Sequence, residues 1–389
     1  MSFIRWALAT LVVLAFLVAA SLTAEPGVWR EAVHWARGFR ELSSERAATC
    51  PVLVGESIPG DPREAYELIG QRVLALDVKE RAQLRAFAER QVADPELALA
   101  LVAKVPVDSL EALRQLVRMD GKMYSASNLG LREPVSVFGD QHVLIDALLV
   151  LARYATTEEQ RMHAWLDAIA CGLDLAGSEL PIQSLYGLMI AGRVMDVADD
   201  AWVMRLSLDG LRVLGDALAK VDAATPVCVD LQTVIADLVL LVDETDDLQP
   251  VDVGMRSIYQ SWQNAFSVED EAIERVSRAV EQVRAFLDGT PSIESWASRR
   301  QRLQQLVKED AMLNADLMSS YLSYVFDSEQ GRRECVINLR LLRMVIAARL
   351  GEELGLADPL GEGAIGVAHE GGYVRFFSAG GAERRARSH

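Results

Sequence analysis

Apolar side chains recur three and four positions apart along most of this chain, a spacing typical of α-helices with one buried face. In one predicted helix, for example, Met162, Trp165 and Ile169 fall on the same side. The predicted helices cover residues 62–76, 79–92, 95–104, 107–119, 142–154, 157–176, 181–197, 201–221, 231–242, 268–288, 292–326 and 332–354. We therefore expect a mainly α fold, either an irregular multi-helix bundle or a stack of helical hairpins.

Two stretches interrupt the helical pattern. Residues 48–61 are rich in Pro and Gly and predict an extended linker, after which Asp61 and Pro62 are typical of a helix start. Residues 121–139 contain several turn-forming residues and predict a long loop, a feature that often carries function.

The pattern changes again after Gly355. Residues 364–369 and 373–378 are predicted to form two short strands, and the intervening Glu-Gly-Gly is typical of a β-hairpin turn. The Arg-rich segment 382–389 is predicted to be a disordered tail.

The first residues of the chain have a different character. Arg5 precedes nineteen residues without a charge, Trp6 to Ala24. As a helix this segment would be about 28 Å long, close to the hydrocarbon core of about 30 Å. It predicts one N-terminal transmembrane helix that anchors the protein, and a cleaved signal peptide is the alternative.

This organisation predicts five segments along the chain. They are an anchor or signal segment over 1–24, a juxtamembrane helix and linker over 25–61, a helical domain over 62–354, a β-hairpin over 355–381 and the tail over 382–389. We expect the body of the protein to lie outside the cytoplasm, on the periplasmic side of a bacterial inner membrane.

Composition and charge narrow the function classes. Apolar residues make up 51% of the chain and charged residues 24%, which is typical of a folded globular protein. The formal net charge is −17, and such a chain repels phosphate backbones. Nucleic acid is therefore not an expected partner, whereas a membrane contact through residues 6–24 and an envelope protein partner are.

Few residues are candidates for chemistry. Asp140, His142, His163 and Asp167 are the only His and carboxylate group worth testing, and His163 and Asp167 are spaced to share one helical face. A Gly361-x-Gly363-x-x-Gly366 match lacks the strand before it and the helix after it that a dinucleotide site needs. We therefore predict no cofactor and no metal, with His142, His163 and Asp167 as weak catalytic candidates.

The four cysteines do not form a metal-binding pattern. Cys171 and Cys335 fall inside apolar helical segments, where free buried thiols are expected. Cys50 and Cys228 each lie close to a proline in predicted loops, and they are the more plausible disulfide pair in an exported protein.

The end of the chain resembles the tail of type II secretion pseudopilins and of many uncharacterised exported bacterial proteins. The resemblance rests on Asp358-Pro359-Leu360-Gly361, on the two strands, and on the run from Tyr373 through Ser378 to Gly380-Gly381. It covers about a tenth of the chain and implies a small β module at the end of a long helix. The segment Met1 to Arg5 lacks the Gly and Glu of a prepilin processing site, and the tail lacks the calcium-binding acid of pseudopilins.

Three functions are compatible with these observations. The first is a membrane-anchored, extracytoplasmic scaffold or protein-interaction module of the cell envelope. The second is an exported hydrolase-type enzyme that uses His142 or His163. The third is a pseudopilin-like component of a secretion or pilus machine.

Overall fold

A computed structural model describes the helical body and the C-terminal end of the chain. The described residues are 52–53, 55–60, 76–89, 94–119, 136–176, 181–224, 298, 301–302, 304–305, 308, 316–361, 363–370 and 372–387. Most of them belong to one compact unit, whereas Pro181 and those from 298 to 330 belong to a second unit. The mainly α fold class is confirmed for the described residues.

The described residues form these helices and strands. The helices are α1 (Val78–Ala88), α2 (Pro95–Val102), α3 (Val107–Leu116), α4 (Ser136–Tyr154), α5 (Glu158–Ala176), α6 (Pro181–Val197), α7 (Asp200–Met204), α8 (Leu208–Ala224) and α9 (Asp316–Leu350). The strands are β1 (Gly366–Glu370), β2 (Tyr373–Phe377) and β3 (Glu383–Arg387).

Local capping explains where several helices begin. Asp77 accepts a hydrogen bond from the backbone N–H of Glu80, and the Glu80 side chain accepts one from the backbone of Asp77. This reciprocal capping box satisfies two N–H groups at the start of α1. At the start of α2, the Asp94 side chain accepts the backbone N–H of Leu97, and Pro95 occupies the first helical position.

Several helix ends differ from the sequence prediction, and three differences change how the chain is divided. The predicted helix 201–221 is divided into α7 and α8 because the Ser207 hydroxyl accepts the backbone N–H of Gly210 and starts a new helix there. No break precedes Arg332, since α9 continues through Gly331. The predicted loop 121–139 ends earlier than expected, because α4 already begins at Ser136.

The core lies where α4 and α5 pack against their neighbours. Trp165 and Trp202 are fully buried, with ring centroids 5.9 Å apart. Each indole N–H donates to a helix carbonyl: Trp165 to Val194 at 2.8 Å, and Trp202 to Ala152 at 2.8 Å. The two large apolar rings are thus buried without an unsatisfied donor.

The α5–α6 crossing depends on two glycines. A Cβ at Gly187 would lie 2.1 Å from the amide nitrogen of Ala176 and 2.5 Å from the carbonyl oxygen of Gly172. A Cβ at Gly172 would in turn lie 2.9 Å from the nitrogen of Ala191. The two backbones therefore approach too closely for any larger residue at these positions.

The C-terminal strands form an antiparallel sheet in the order β1-β2-β3. β1 and β2 are the predicted hairpin, with Glu370 paired with Tyr373 across the turn. Gly372, in the turn, has a φ of 85°, which favours glycine.

The prediction of a disordered tail over 382–389 is wrong for Glu383–Arg387, which form β3. β3 is ordered because it pairs with β2 and buries Ala386. In addition, the Arg384 guanidinium donates to the carbonyl oxygens of Met195, at 3.2 Å, and Ala198 at the end of α6. Arg384 thus has a structural role, although the Arg-rich composition of β3 is typical of a disordered, solvent-exposed segment.

Among the described helices, none combines the length and apolar character that crossing a bilayer requires. The predicted anchor over residues 1–24 lies outside the described residues, as do residues 62–75 of the helix predicted over 62–76 and the helices predicted over 231–242 and 268–288.

Replacing Gly187 with Ala is expected to lower the free energy of unfolding by about 1–3 kcal/mol, because the added methyl group meets backbone atoms of α5 that cannot move aside. Gly192→Ala is the matched control on the same helix, since nothing lies within 4 Å of its Cβ position. That control is expected to raise stability by about 0.5–1 kcal/mol. Chemical denaturation measures both, and equal effects would contradict the close crossing.

Candidate functional site

Four polar residues cluster where α4 and α6 face each other. His142 and Asp146 lie one turn apart on α4, and Tyr186 and Arg193 lie two turns apart on α6. Nη2 of Arg193 donates a hydrogen bond to Oδ1 of Asp146. The His142 and Tyr186 rings meet edge to face, with centroids 4.6 Å apart. We call these four residues the α4–α6 cluster.

Two charges at the end of α1 border this cluster. Arg85 Nε donates to Glu89 Oε1 at 2.9 Å, and that oxygen lies 3.8 Å from Arg193 Nη2. Charges therefore alternate from the exposed Arg85 through Glu89 and Arg193 to Asp146, which is 4% exposed. Such alternation compensates a carboxylate that would be costly to bury alone.

Burial sets the protonation states in the α4–α6 cluster. It raises the pKa of Asp146, while Arg193 opposes that shift. Burial, together with the positive charges of Arg193 and Arg85, lowers the pKa of His142 to about 4. Burial also raises the pKa of the Tyr186 hydroxyl. At neutral pH the cluster therefore holds a neutral imidazole and a protonated phenol beside an ion pair.

This arrangement favours a structural role for His142. An imidazole with a pKa of about 4 is a weak general base at neutral pH. Arg193 is already paired with Asp146, so it offers a bound anion no uncompensated charge. The ring contact with Tyr186 and the ion pair together hold α4 against α6.

The predicted His163 and Asp167 pair lies in a separate cluster on α5. Asp167 is 2% exposed, and its Oδ2 accepts a hydrogen bond from Arg114 Nε at 3.2 Å. Arg118 Nη2 lies 4.0 Å from Oδ1. Burial raises the pKa of Asp167, and Arg114, Arg118 and His163 oppose that shift.

Asp167 thus pairs with arginines of the α3 region, which the spacing of α5 alone could not reveal. Within the part of the chain that is described, no group of three or more potential His, Cys, Asp or Glu metal ligands occurs. Asp140 lies in α4, but its side chain is not among those described. The structure therefore places His142 and His163 in two different polar clusters.

Of the four cysteines, Cys171 and Cys335 are buried free thiols, as predicted. Burial raises the pKa of Cys335 to about 12, and it raises the pKa of Cys171 as well. Both thiols are therefore protonated and unreactive at neutral pH. The proposed pair Cys50 and Cys228 lies outside the described residues.

A buried carboxylate fixes the C-terminal sheet to the turn that precedes it. Asp358 Oδ1 accepts hydrogen bonds from the backbone N–H of Leu360 and from the Ser378 hydroxyl, each at 2.9 Å. Its Oδ2 accepts the backbone N–H of Ala379 at 2.7 Å. We call Asp358, Leu360, Ser378 and Ala379 the clasp. The clasp joins positions twenty residues apart through charge-assisted hydrogen bonds.

One face of the sheet remains accessible. Tyr373 is 42% exposed and Phe377 is 38% exposed, with Arg375 between them. The Arg375 guanidinium lies 5.2 Å from the centre of the Phe377 ring. It also pairs with Glu370 at 3.1 Å and with Glu383 at 3.5 Å. We call the side of the sheet that carries these five residues and Arg385 the outer face.

The Phe377 ring covers Gly366 on the neighbouring strand. A Cβ at Gly366 would lie 2.4 Å from Cζ of Phe377. Gly366 and Phe377 are direct partners in the β1–β2 register. The last glycine of the Gly-x-Gly-x-x-Gly match is therefore required for ring packing in a sheet.

The outer face did not emerge as a candidate site from the sequence. Tyr373 and Phe377 follow an alternating strand pattern, which alone does not tell the exposed side of a sheet from the buried one. The signal that could have identified it is the Arg-rich stretch 383–387, read as a strand opposite β2.

Comparison with known proteins adds no family to this description. No protein-family model, no curated protein and no solved structure matches the chain.

Replacing Arg193 with Met is expected to destabilise the protein by about 3–5 kcal/mol, because Asp146 would remain buried without its partner. The double variant Asp146→Leu and Arg193→Met removes both charges and is expected to recover most of that loss. Chemical denaturation of the wild type, both single variants and the double variant measures the coupling. Additive losses would show that the two side chains do not depend on each other.

The stability of the protein is expected to fall as the pH drops from about 6.5 to about 4. Between these pH values His142 binds a proton in the unfolded chain but stays neutral in the folded protein, because its pKa is lower in the folded state. His142→Phe keeps a ring against Tyr186 and removes the titration.

The stability of the His142→Phe variant is therefore expected to fall less steeply than that of the wild type between about pH 6.5 and about pH 4. Below about pH 4 the two curves are expected to run in parallel. Denaturant unfolding at stepped pH measures this difference, and identical curves throughout would rule out the buried neutral imidazole.

Proposed function

We propose that this chain is a membrane-anchored, extracytoplasmic module of the cell envelope that binds a protein partner through the outer face of its C-terminal sheet. The observation that carries the proposal is an exposed aromatic and arginine surface on a firmly held support. Tyr373, Arg375 and Phe377 form its centre.

The chemistry of the outer face suits protein recognition. Aromatic and arginine side chains are enriched at protein interfaces and supply a large share of their binding energy. Glu370, Glu383 and Arg385 surround the centre with charges of both signs. A polar rim of this kind fixes orientation and excludes wrong partners.

The sheet that carries the outer face is anchored to its surroundings at several points. The clasp joins the turn before the β1–β2 hairpin to the residues that follow β2, and Arg384 binds the carbonyl end of α6. Arg333 of α9 donates to the carbonyl oxygen of Pro359 at 2.8 Å. A surface held in one conformation loses little entropy on binding, and this supports a role in recognition.

The location in the envelope rests on the uncharged segment 6–24, which has the length of a membrane span. Such a tether would keep the protein attached to the membrane, with its body on the periplasmic side. The resemblance to pseudopilin tails adds little to this proposal, since Asp358 and Ser378 of that motif are engaged in the clasp.

The proposal is tested in intact cells with a photo-crosslinking amino acid at position 385, on the outer face. We expect one discrete crosslinked product, and Tyr373→Ser in the same chain is expected to reduce it at least tenfold because it removes an exposed aromatic contact. A crosslinker at position 78, which is 85% exposed on α1, is the matched control and is expected to give no product.

Equal crosslinking from positions 385 and 78, or none at position 385, would overturn the proposed binding surface. The location is tested separately with Val78→Cys and a membrane-impermeant maleimide. Labelling in spheroplasts is expected, and labelling only after lysis would place the body in the cytoplasm.

A further inference from the structure

The two edge strands of the C-terminal sheet differ in how well they are protected from pairing with a further strand. β3 carries Glu383, Arg384 and Arg385 and packs beside α7. Charged side chains and a covering helix are two devices by which proteins prevent further strand pairing. β1 forms the opposite edge, and Gly366, Val367, Ala368 and His369 include no lysine, arginine or proline.

The backbone of β1 offers hydrogen bonds on its free side. The N–H of Ile365 donates to the carbonyl oxygen of Leu356 at 2.8 Å, on the side away from β2. Because N–H and C=O groups alternate in direction along an antiparallel strand, the groups of Val367 and His369 point to that same side. In the described part of the chain, no further backbone group pairs with them.

The free edge is also accessible. Val367 is 49% exposed, and His369 and Glu370 are exposed as well. Next to Ile365, the edge is covered by the segment that contains Ala357, which forms an isolated β-bridge with Ala364. No bridge of this segment extends further along β1 in the described residues. An incoming strand would therefore find both backbone partners and an apolar side chain beyond that bridge.

The strand already paired with β1 shows which side chains suit it. On β2, Phe377 covers Gly366, and Arg375 lies opposite Ala368 and reaches Glu370 at 3.1 Å. The Glu370 carboxylate is half exposed, so a second cation can approach it from the free edge. The net charge of −17 attracts a basic segment over longer distances.

We propose that β1 accepts an extended, basic strand with an aromatic side chain, supplied by a partner protein and added antiparallel to the sheet. This proposal deepens the proposed function and rests on it. A second copy of the chain fits less well, since two chains of charge −17 repel each other. Pairing two β1 edges would also bring no cation to Glu370.

The test uses a fluorescein-labelled, capped peptide that copies Gly372–Ser378, and the full-length chain in detergent micelles. Fluorescence anisotropy is expected to show saturable binding at low salt. The same peptide with Glu in place of its Arg is the matched control and is expected to bind at least tenfold more weakly. Amide exchange at Val367 and His369 is expected to slow when the basic peptide is bound.

Two variants locate the binding. His369→Pro removes an N–H that points away from β2, so the sheet is expected to fold, as checked by circular dichroism and thermal unfolding. It is expected to weaken peptide binding at least tenfold. His369→Ala keeps the N–H and is expected to bind like the wild type.

Equal affinity for the two peptides, or full binding to a folded His369→Pro variant, would overturn this proposal. So would a wild-type dimer that becomes a monomer in His369→Pro, because a second copy would then occupy the edge. If the peptide fails while the crosslink at position 385 persists, the edge proposal fails and the proposed function stands. If neither peptide binding nor the crosslink at position 385 is observed, both the edge proposal and the proposed function fail.

Discussion

The carbonyl groups at the end of a helix have no partner within that helix, and in this protein distant arginines supply the missing donors. Arg153 of α4 donates to Ala88 at the end of α1. Arg332, Arg349 and Arg384 do the same for Ala176, Val203 and Ala198, near the ends of α5, α7 and α6. A positive charge at this end of a helix also interacts favourably with its dipole. Each of these four helix ends is thereby tied to an element far away in sequence.

Buried carboxylates extend the same principle. Asp146, Asp167 and Asp222 are each paired with at least one arginine from another helix. Arginine suits both tasks because its several fixed N–H groups can serve a carboxylate and a carbonyl at once. Arg340 does so, with Asp222 on one nitrogen and Ala357 on another. Each of these three carboxylates therefore has an arginine partner at its helix interface, which offsets the cost of burying its charge.

Local rules were sufficient for most of the helices and for the hairpin. Caps such as Asp94 with Pro95 and the three-and-four apolar spacing depend only on neighbouring residues. Partners far apart in sequence were not accessible in this way. The spacing of His163 and Asp167 indicated one helical face, but the pairing of Asp167 with Arg114 follows from how α3 meets α5. The strand β3 was not predicted for the same reason. An arginine such as Arg384 is typical of a solvent-exposed segment, and its hydrogen bond to the end of α6 follows only from the fold.

The long helix α9 has a consequence for how this chain can vary. Its arginines at 332, 333, 340, 343 and 349 reach α5, the turn before the sheet, α8 and α7. Inserting one residue among them would turn everything beyond it by about 100° around the helix axis. Several of these contacts would then be lost at once, although each tolerates adjustment alone. Natural variation in this stretch should therefore consist of exchanges of single residues, with changes of length confined to the connections.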